Sequence, residues 1–378
     1  MRAQLKSVAW ARDGDELRVV YDRRSQLVIN DRGGRVERLL SLLRAGGRTH
    51  EQIAAELSVA NDELEAAIEL LDAHGLVEDG DHRVGLSAAD QLRHASNLGF
   101  FESFASLARS REEMQRALIN AHVLVLGAGG LSCTVIQHLC GLGVGRLTIV
   151  DRDVVETRNL ARQYLYRHGD VGATKVIRAA EWVREFDPSI EVTAIEEDLQ
   201  SLDRVAELLA RHRPDAVCAG VDTPNEIDAW VNATCVAAGV PFVRAGVWVT
   251  QGLVWSVDPG RSACSGCHQH GGPDDEELTE QLAGVRLFAH TGGGNRASGP
   301  VTGLLGSLAA FELLRFLTRF EEPVYAGACL ELDFAAGCTS RLDGPWPKNP
   351  DCPVCGSGRV LTLAGAGHQP ISEGGDIE

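Results

Sequence analysis

The chain offers no apolar run long enough to cross a bilayer: its best stretch, Leu304 to Leu317, is short and interrupted by Glu312 and Arg315, so no membrane association is expected. No internal repeat is evident. Met1 to Val20 is repeatedly charged where a secretory signal would be apolar, so a cytoplasmic location is expected. Positive charge is also scarce. The 36 Lys and Arg stand against 53 Asp and Glu, a formal net charge of −17 that argues against a nucleic-acid partner. Ten cysteines in such a chain suggest thiols and metal before disulfides. A length of 378 residues suits two or three domains.

The densest signal runs from Val123 to Lys175. Val123 to Leu126 is a continuous apolar run ended by Gly127, the pattern of a buried parallel strand. Ser132 to Gly143 reads as a helix, and Gly127, Gly129 and Gly130 form the turn between them, where backbone N–H groups can approach a phosphate with no Cβ in the way. Ser132 fills the last position of the G-x-G-x-x-G pattern. A second strand, Leu147 to Val150, ends at Asp151, about the spacing of an acidic residue that binds ribose hydroxyls. Alone, this pattern would equally suit a nicotinamide-dependent dehydrogenase.

Residues downstream of the loop shift the balance. Asn159, Arg162 and Gln163 in NLARQ, then Lys175 in VGATK, bring two cations to a phosphate chain, where hydride transfer needs none and phosphoryl chemistry does. Asp222, just after the apolar run Ala216 to Ala219, is a carboxylate at the end of a strand facing the ligand crevice, suited to Mg²⁺. Asp153 and Glu156 lie in a loop that would be polar by default; Asp153 is kept as a candidate and Glu156 is not. His138 and Cys140 sit in an apolar helix and are expected in the core.

With GAGGLS, DRDVVETRNLARQ, VGATK, GVDTPNE, VNATCVAAGVPFVRAG, CSGC, GPVTGLLGSLAAFELLRFL and CPVC in order, the chain resembles the ubiquitin-activating-type adenylyltransferases that include ThiF and MoeB, from Asn97 to Gly356. The resemblance implies an α/β, Rossmann-like adenylation fold, a homodimer, and the use of ATP and Mg²⁺ to activate a carboxylate as an acyl-adenylate. Carried over, Asp151 would bind the ribose, Asn159, Arg162 and Lys175 the phosphates, and Asp222 the metal. An arginine upstream of the glycine loop would cross the dimer; Arg93 in RHASN matches best, with Arg109 and Arg111 as alternatives.

Cys264 and Cys267 form one C-x-x-C and Cys352 and Cys355 another, two knuckles able to close a tetrahedral zinc site. The family places structural zinc there. A c-type haem at CSGCH would require export. A thioredoxin-like redox pair is disfavoured because neither C-x-x-C is expected to open a helix after a strand in a βαβ unit. Family members that pass substrate to a protein thiol carry a cysteine in the crossover segment, here about His268 to Ser298, and this stretch has none. Cys235 reads as core, so thioester transfer is not expected.

Leu17 to Tyr21 and Leu27 to Ile29 read as a hairpin, followed by helical stretches Val36–Leu43, Glu51–Leu57 and Asp62–His74, with a Thr49/Gln52 capping box and a β-like tail. The expected organisation is a winged-helix-like domain over 1–86, a linker over 87–97, an adenylation domain over 98–364 and a disordered tail over 365–378. DNA binding is disfavoured, because the third helix carries Asp62, Glu63, Glu65, Glu69 and Asp72. Arg18, Arg23, Arg24, Arg32, Arg35 and Arg38 gather instead on the hairpin and first helix, where an edge strand could accept an acidic peptide.

This arrangement resembles the PqqD-like recognition domains of ribosomally made, modified peptides, and its fusion to the core resembles the microcin-C-type and pantocin-type branch. The implied partner is a precursor peptide, held by its leader while a carboxylate is adenylated during peptide natural-product biosynthesis. Two alternatives remain: activation of a ubiquitin-like sulfur carrier, and a non-catalytic presenter of leader peptide to a cyclodehydratase.

Overall fold

The computed structural model describes residues 2–22, 25–81, 85–248, 250–269 and 297–356. Residues 2–81 hold β1 (Ala3–Leu5), β2 (Ala9–Asp13), β3 (Glu16–Asp22), β4 (Ser25–Asn30), α1 (Arg35–Ala45), α2 (His50–Leu57), α3 (Asn61–Ala73) and β5 (Val77–Asp79). The expected hairpin is the β3–β4 pair, extended on its other side by β2 into a three-stranded antiparallel sheet. β1 and β5 close a second, two-stranded sheet. Leu17, Leu40, Leu43, Ile53, Leu64 and Ile68 form a core of their own. The capping box is present: Thr49 accepts from Gln52 N, and the Gln52 side chain accepts from Thr49 N.

The segment expected as a linker is helical, with α4 (Ala88–Arg93) capped by Ser87, then α5 (Ala95–Glu102). Its polarity belongs to ordered contacts, since Asn97 donates to Leu142 O at 3.2 Å. α6 (Arg111–Asn120) leads into the large domain. The N-terminal unit is fastened there by polar contacts: Asp72 accepts from Leu107 N, Glu102 accepts from Ser7 N and Oγ, and Arg111 pairs with both Glu78 and Glu102.

The large domain alternates β6 (His122–Leu126), α7 (Gly130–Leu142), β7 (Arg146–Asp151), α8 (Lys175–Phe186), β8 (Glu191–Glu196), α9 (Leu202–His212), β9 (Ala216–Ala219), α10 (Ile227–Ala238) and β10 (Phe242–Trp248), then β11 (Gln251–Val257). α11 (Ser265–Gln269), α12 (Gly299–Thr318), β12 (Cys329–Asp333) and β13 (Thr339–Asp343) complete it. The eight-stranded sheet has the order β13-β12-β11-β10-β9-β6-β7-β8, parallel from β8 to β10 and antiparallel from β10 to β13. Helices cover both faces, α6, α7, α8 and α12 in one cluster and α9 and α10 in the other. α12 is 20 residues long and would pass for a membrane span by length and composition, yet it is mostly buried. Within α7 Cys140 is buried as expected, whereas His138 is exposed and bonds Ser307 Oγ at 3.0 Å, so its apolar surroundings in sequence did not place it in the core.

Sheet order decides where a ligand can sit. From β6 the chain moves outward through β7 to β8, then returns to the other side of β6 as β9. The loops after β6 and β9 therefore diverge, opening a crevice at the carboxyl ends of the strands.

Candidate active site

The crevice is a cavity of about 560 Å³, within the range of small-molecule sites. Gly127, Gly129, Gly130, Asp151, Asp153, Asn159, Arg162, Gln163, Lys175 and Asp222 all line it. Segments far apart in sequence are thus brought to one wall by the parallel strands.

Two glycines explain the loop. Gly127 has φ +93°, and a Cβ there would lie 3.0 Å from the carbonyl of Gly220. At Gly130 a Cβ would meet Thr302 Cγ2 at 3.0 Å and Arg162 Cγ at 3.2 Å, so α7 could not start so close to the arginine. Gly129 caps α7 without a side chain, leaving first-turn N–H groups available to an anion.

Asp151 braces this loop. Its Oδ2 accepts from Ala128 N at 2.6 Å and its Oδ1 from Asp153 N at 2.7 Å. Burial raises its pKa, against the pull of Lys175 and these two N–H groups. The Tyr166 hydroxyl donates to Ala128 O at 2.7 Å from the other side. Beyond β7, an antiparallel bridge between Val154 and Thr174 ties the two connecting loops, so Lys175 opens α8 with its Nζ 2.7 Å from Asp153 Oδ2. Asn159 is buried, its Oδ1 accepting from Glu156 N. Gln163 is buried with its Oε1 unpartnered among the described residues, a polar group in the cavity wall left for a ligand. Asp222 is exposed and makes no hydrogen bond or ion pair among the described residues.

Arg93, Arg109 and Arg111 are not brought to this cavity. Arg93 pairs with Asp187 and donates to Cys140 O near the far end of α7, about 15 Å along the helix from the glycine loop. Arg109 donates to Arg319 O, and Arg111 serves the domain junction. Glu156, considered in the sequence and not kept, lines the cavity, as do Arg158, Thr302 and Arg244, which sequence reasoning missed. For Arg244 a signal existed: a single charge inside the apolar strand β10.

A second cluster packs with α9 and α10. The thiols of Cys264, Cys267, Cys352 and Cys355 lie within 4.8 Å of one another. Asn349 N donates to Cys267 Sγ, and the thiols meet across the two knuckles, Cys264 with Cys352 at 3.6 Å and Cys267 with Cys355 at 3.2 Å. The donor set and packing fit a tetrahedral thiolate site. The first C-x-x-C leads into a short helix, α11, that lies in no βαβ unit, since the flanking strands β11 and β12 pair antiparallel. Cys235 is fully buried, and burial pushes its thiol pKa up. Most of the crossover segment, and the tail expected to be disordered, lie outside the described residues.

The sequence profile of the ThiF family matches residues 102–354. The chain belongs to the ThiF family. Adenylyltransferase and sulfurtransferase MOCS3 of Sus scrofa is 34% identical over 248 residues, 66% of this chain and 51% of that protein. Molybdopterin-synthase adenylyltransferase of Salmonella typhimurium is 32% identical over 246 residues, 65% of this chain and 90% of that protein. The chain thus spans about half the length of the MOCS3 relatives. Among solved structures, Escherichia coli MccB shares the fold with a TM-score of 0.76 over 98% of this chain and 100% of its own, at 20% identity. PaaA shares it at 0.68 over 90% of this chain and 99% of its own, at 18% identity.

Proposed function

We propose that this ThiF-family chain is an ATP-dependent adenylyltransferase that activates a carboxylate of a ribosomally made precursor peptide. One observation carries the chemistry: a glycine loop, the cations Arg162 and Lys175, and the carboxylate of Asp222, which has no partner among the described residues, line one crevice at the switch point of the sheet. The substrate carboxylate, ionised at neutral pH, attacks the α-phosphorus of ATP. A new O–P bond forms, the bond to the β-phosphate oxygen breaks, and pyrophosphate leaves with the electron pair. No proton moves, so the site requires no general base.

The protein's part is positional and electrostatic. The α7 N-terminus and glycine loop receive the phosphates; Lys175 and Arg162 offset the charge that builds on the leaving pyrophosphate; Asp151, while bracing the loop, retains lone pairs for the ribose. Asp222 would hold Mg²⁺, which when bound neutralises phosphate charge. The four thiolates would hold a structural zinc.

The N-terminal unit favours a peptide substrate. The family profile begins only at residue 102, while the fold shared with MccB takes in 98% of the chain. MccB is a microcin C7 biosynthetic enzyme with a structure in complex with N-formylated MccA. Arg18 on β3, Arg32 just after the edge strand β4, and Arg35 and Arg38 on α1 are exposed on this unit, basic groups of the kind an acidic leader would meet. A second reading, activation of a sulfur-carrier protein, is supported by the identity to molybdopterin-synthase adenylyltransferase. Pyrophosphate release measured with synthetic peptides that carry an acidic leader and a free C-terminal carboxylate, and with a small ubiquitin-like carrier, separates the two: stimulation by the carrier alone overturns the peptide reading.

A further inference from the structure

We propose that Arg244 positions the carboxylate that is to be adenylated, an inference that rests on the adenylation reading above. Arg244 lies on β10, paired in register with Ala219 at the end of β9, one strand beyond the loop that carries Asp222. Asp151 is three strands away across the sheet, about 14 Å. The cations that serve the phosphates, Arg162 and Lys175, come from the segment after β7, on the ribose side. Arg244 faces them from the opposite wall, beside Ala245, Gly246, Val247 and Leu305. That wall is glycine and aliphatic, suited to an acyl chain more than to a polyphosphate.

The guanidinium is built in. Arg244 is 9% exposed, between the buried Val243 and Ala245. Its Nε donates to Asp228 Oδ1 at 2.7 Å, and its Nη1 donates to Ala219 O and Ala245 O at 3.2 and 3.3 Å. Nη2 makes no hydrogen bond among the described residues. An apolar side chain would satisfy the strand at lower desolvation cost. What the arginine adds is a planar fork, fixed on three hydrogen bonds, with one nitrogen left for a ligand in the cavity. A cation there offsets the repulsion between an incoming carboxylate and the triphosphate, and after reaction the same N–H groups can donate to the acyl oxygen of the adenylate.

The test is calorimetric titration of the full-length protein with AMP, with pyrophosphate and with 5′-O-(N-glycylsulfamoyl)adenosine, a stable stand-in for an acyl-adenylate. The wild type should bind the acyl sulfamate at least about tenfold more tightly than AMP, the scale of one charge-assisted hydrogen bond. Arg244→Lys should bind AMP and pyrophosphate within about twofold of the wild type yet lose about tenfold of that margin. Asp228→Asn, which leaves the guanidinium but removes its brace, should lose part of the margin and serves as the second variant if Arg244→Lys fails to fold. An unchanged margin in both variants, no margin in the wild type, or an equal loss for AMP and pyrophosphate would each overturn the assignment. A wild type that binds neither AMP nor ATP would instead refute the adenylation reading itself.

Discussion

Lys175 Nζ lies 2.7 Å from Asp153 Oδ2, and the two ends of this pair differ sharply in exposure: the lysine side chain is 6% exposed and the aspartate 53%. A buried cation is costly unless compensated. Asp153 supplies that charge from the rim of the cavity, where it can turn to solvent when phosphates arrive to replace it. Lys175→Ala should therefore reduce ATP turnover by about a hundredfold or more, whereas Asp153→Asn should cost less than about tenfold. Steady-state pyrophosphate release from the two variants checks this, and equal losses would show that the pair acts as a structural unit.

The thiol cluster should hold about one zinc per chain, since four thiolates satisfy a single tetrahedral ion. Replacing Cys264 or Cys352 by serine should cause loss of metal together with unfolding or aggregation, because binding energy at such a site is folding energy. Metal analysis of freshly purified, reduced protein with a parallel melting curve is the check. A metal-free protein of unchanged melting temperature would refute the zinc site.

The nucleotide half of the fold is legible because its signals are local. Val123 to Leu126 is apolar without interruption, Ala216 to Ala219 matches β9 residue for residue, and glycines mark the turn after β6. β1 and β5 are different. Each has three residues, too few for a periodicity, and they form by pairing Ala3 with Asp79 across the whole N-terminal unit. Residues 87–97, expected as a link between the units, are helical, a feature their polar composition did not announce: Ser87 caps α4 and Asn97 donates to the part-buried Leu142 carbonyl. Arg244 left one mark in the sequence, a lone charge in an apolar strand, but only the strand order sets β10 beside the Asp222 loop and so makes it a site residue.

The domain junction should be sensitive to pH. Glu78 is 1% exposed, and burial pushes its carboxyl up to about 7 although Arg111 lies 3.1 Å away. Its Oε2 has no hydrogen-bond partner among the described residues. The folded state thus holds the Glu78 proton more tightly than the unfolded chain, whose carboxyl titrates near its ordinary value of about 4.3. The stabilisation is complete below that value and is lost as pH rises towards about 7, with no further change above. Melting temperatures of the wild type and of Glu78→Gln, from about pH 5 to about pH 7.5, should converge at the acid end and separate at the alkaline end, the glutamine variant losing less. Parallel curves would contradict this.

Charge reversal at Arg18, Arg32 and Arg35 should weaken binding of an acidic precursor peptide without changing ATP affinity. All three are exposed and make only loose ion pairs, with Glu16 at 3.9 Å, Asp15 at 3.4 Å and Glu63 at 3.7 Å. The loss should shrink as salt is raised, because surface charges are screened within about 8 Å at physiological ionic strength. Arg23 and Arg24, also expected on this face, lie outside the described residues. Fluorescence anisotropy of labelled peptide and of duplex DNA is the measurement; tight, sequence-selective DNA binding would replace the peptide reading of this unit.

The central claim is that the crevice cleaves ATP between the α- and β-phosphates to activate a carboxylate. Products formed from ATP labelled at the α- and at the γ-phosphate, resolved with and without a peptide that carries an acidic leader and a free carboxylate, test it most directly. The account predicts AMP-containing product and pyrophosphate, dependent on a free carboxylate in the peptide, and a loss of about a hundredfold or more in Asp222→Ala. Release of ADP and inorganic phosphate, or pyrophosphate formation that survives Asp222→Ala, would contradict it.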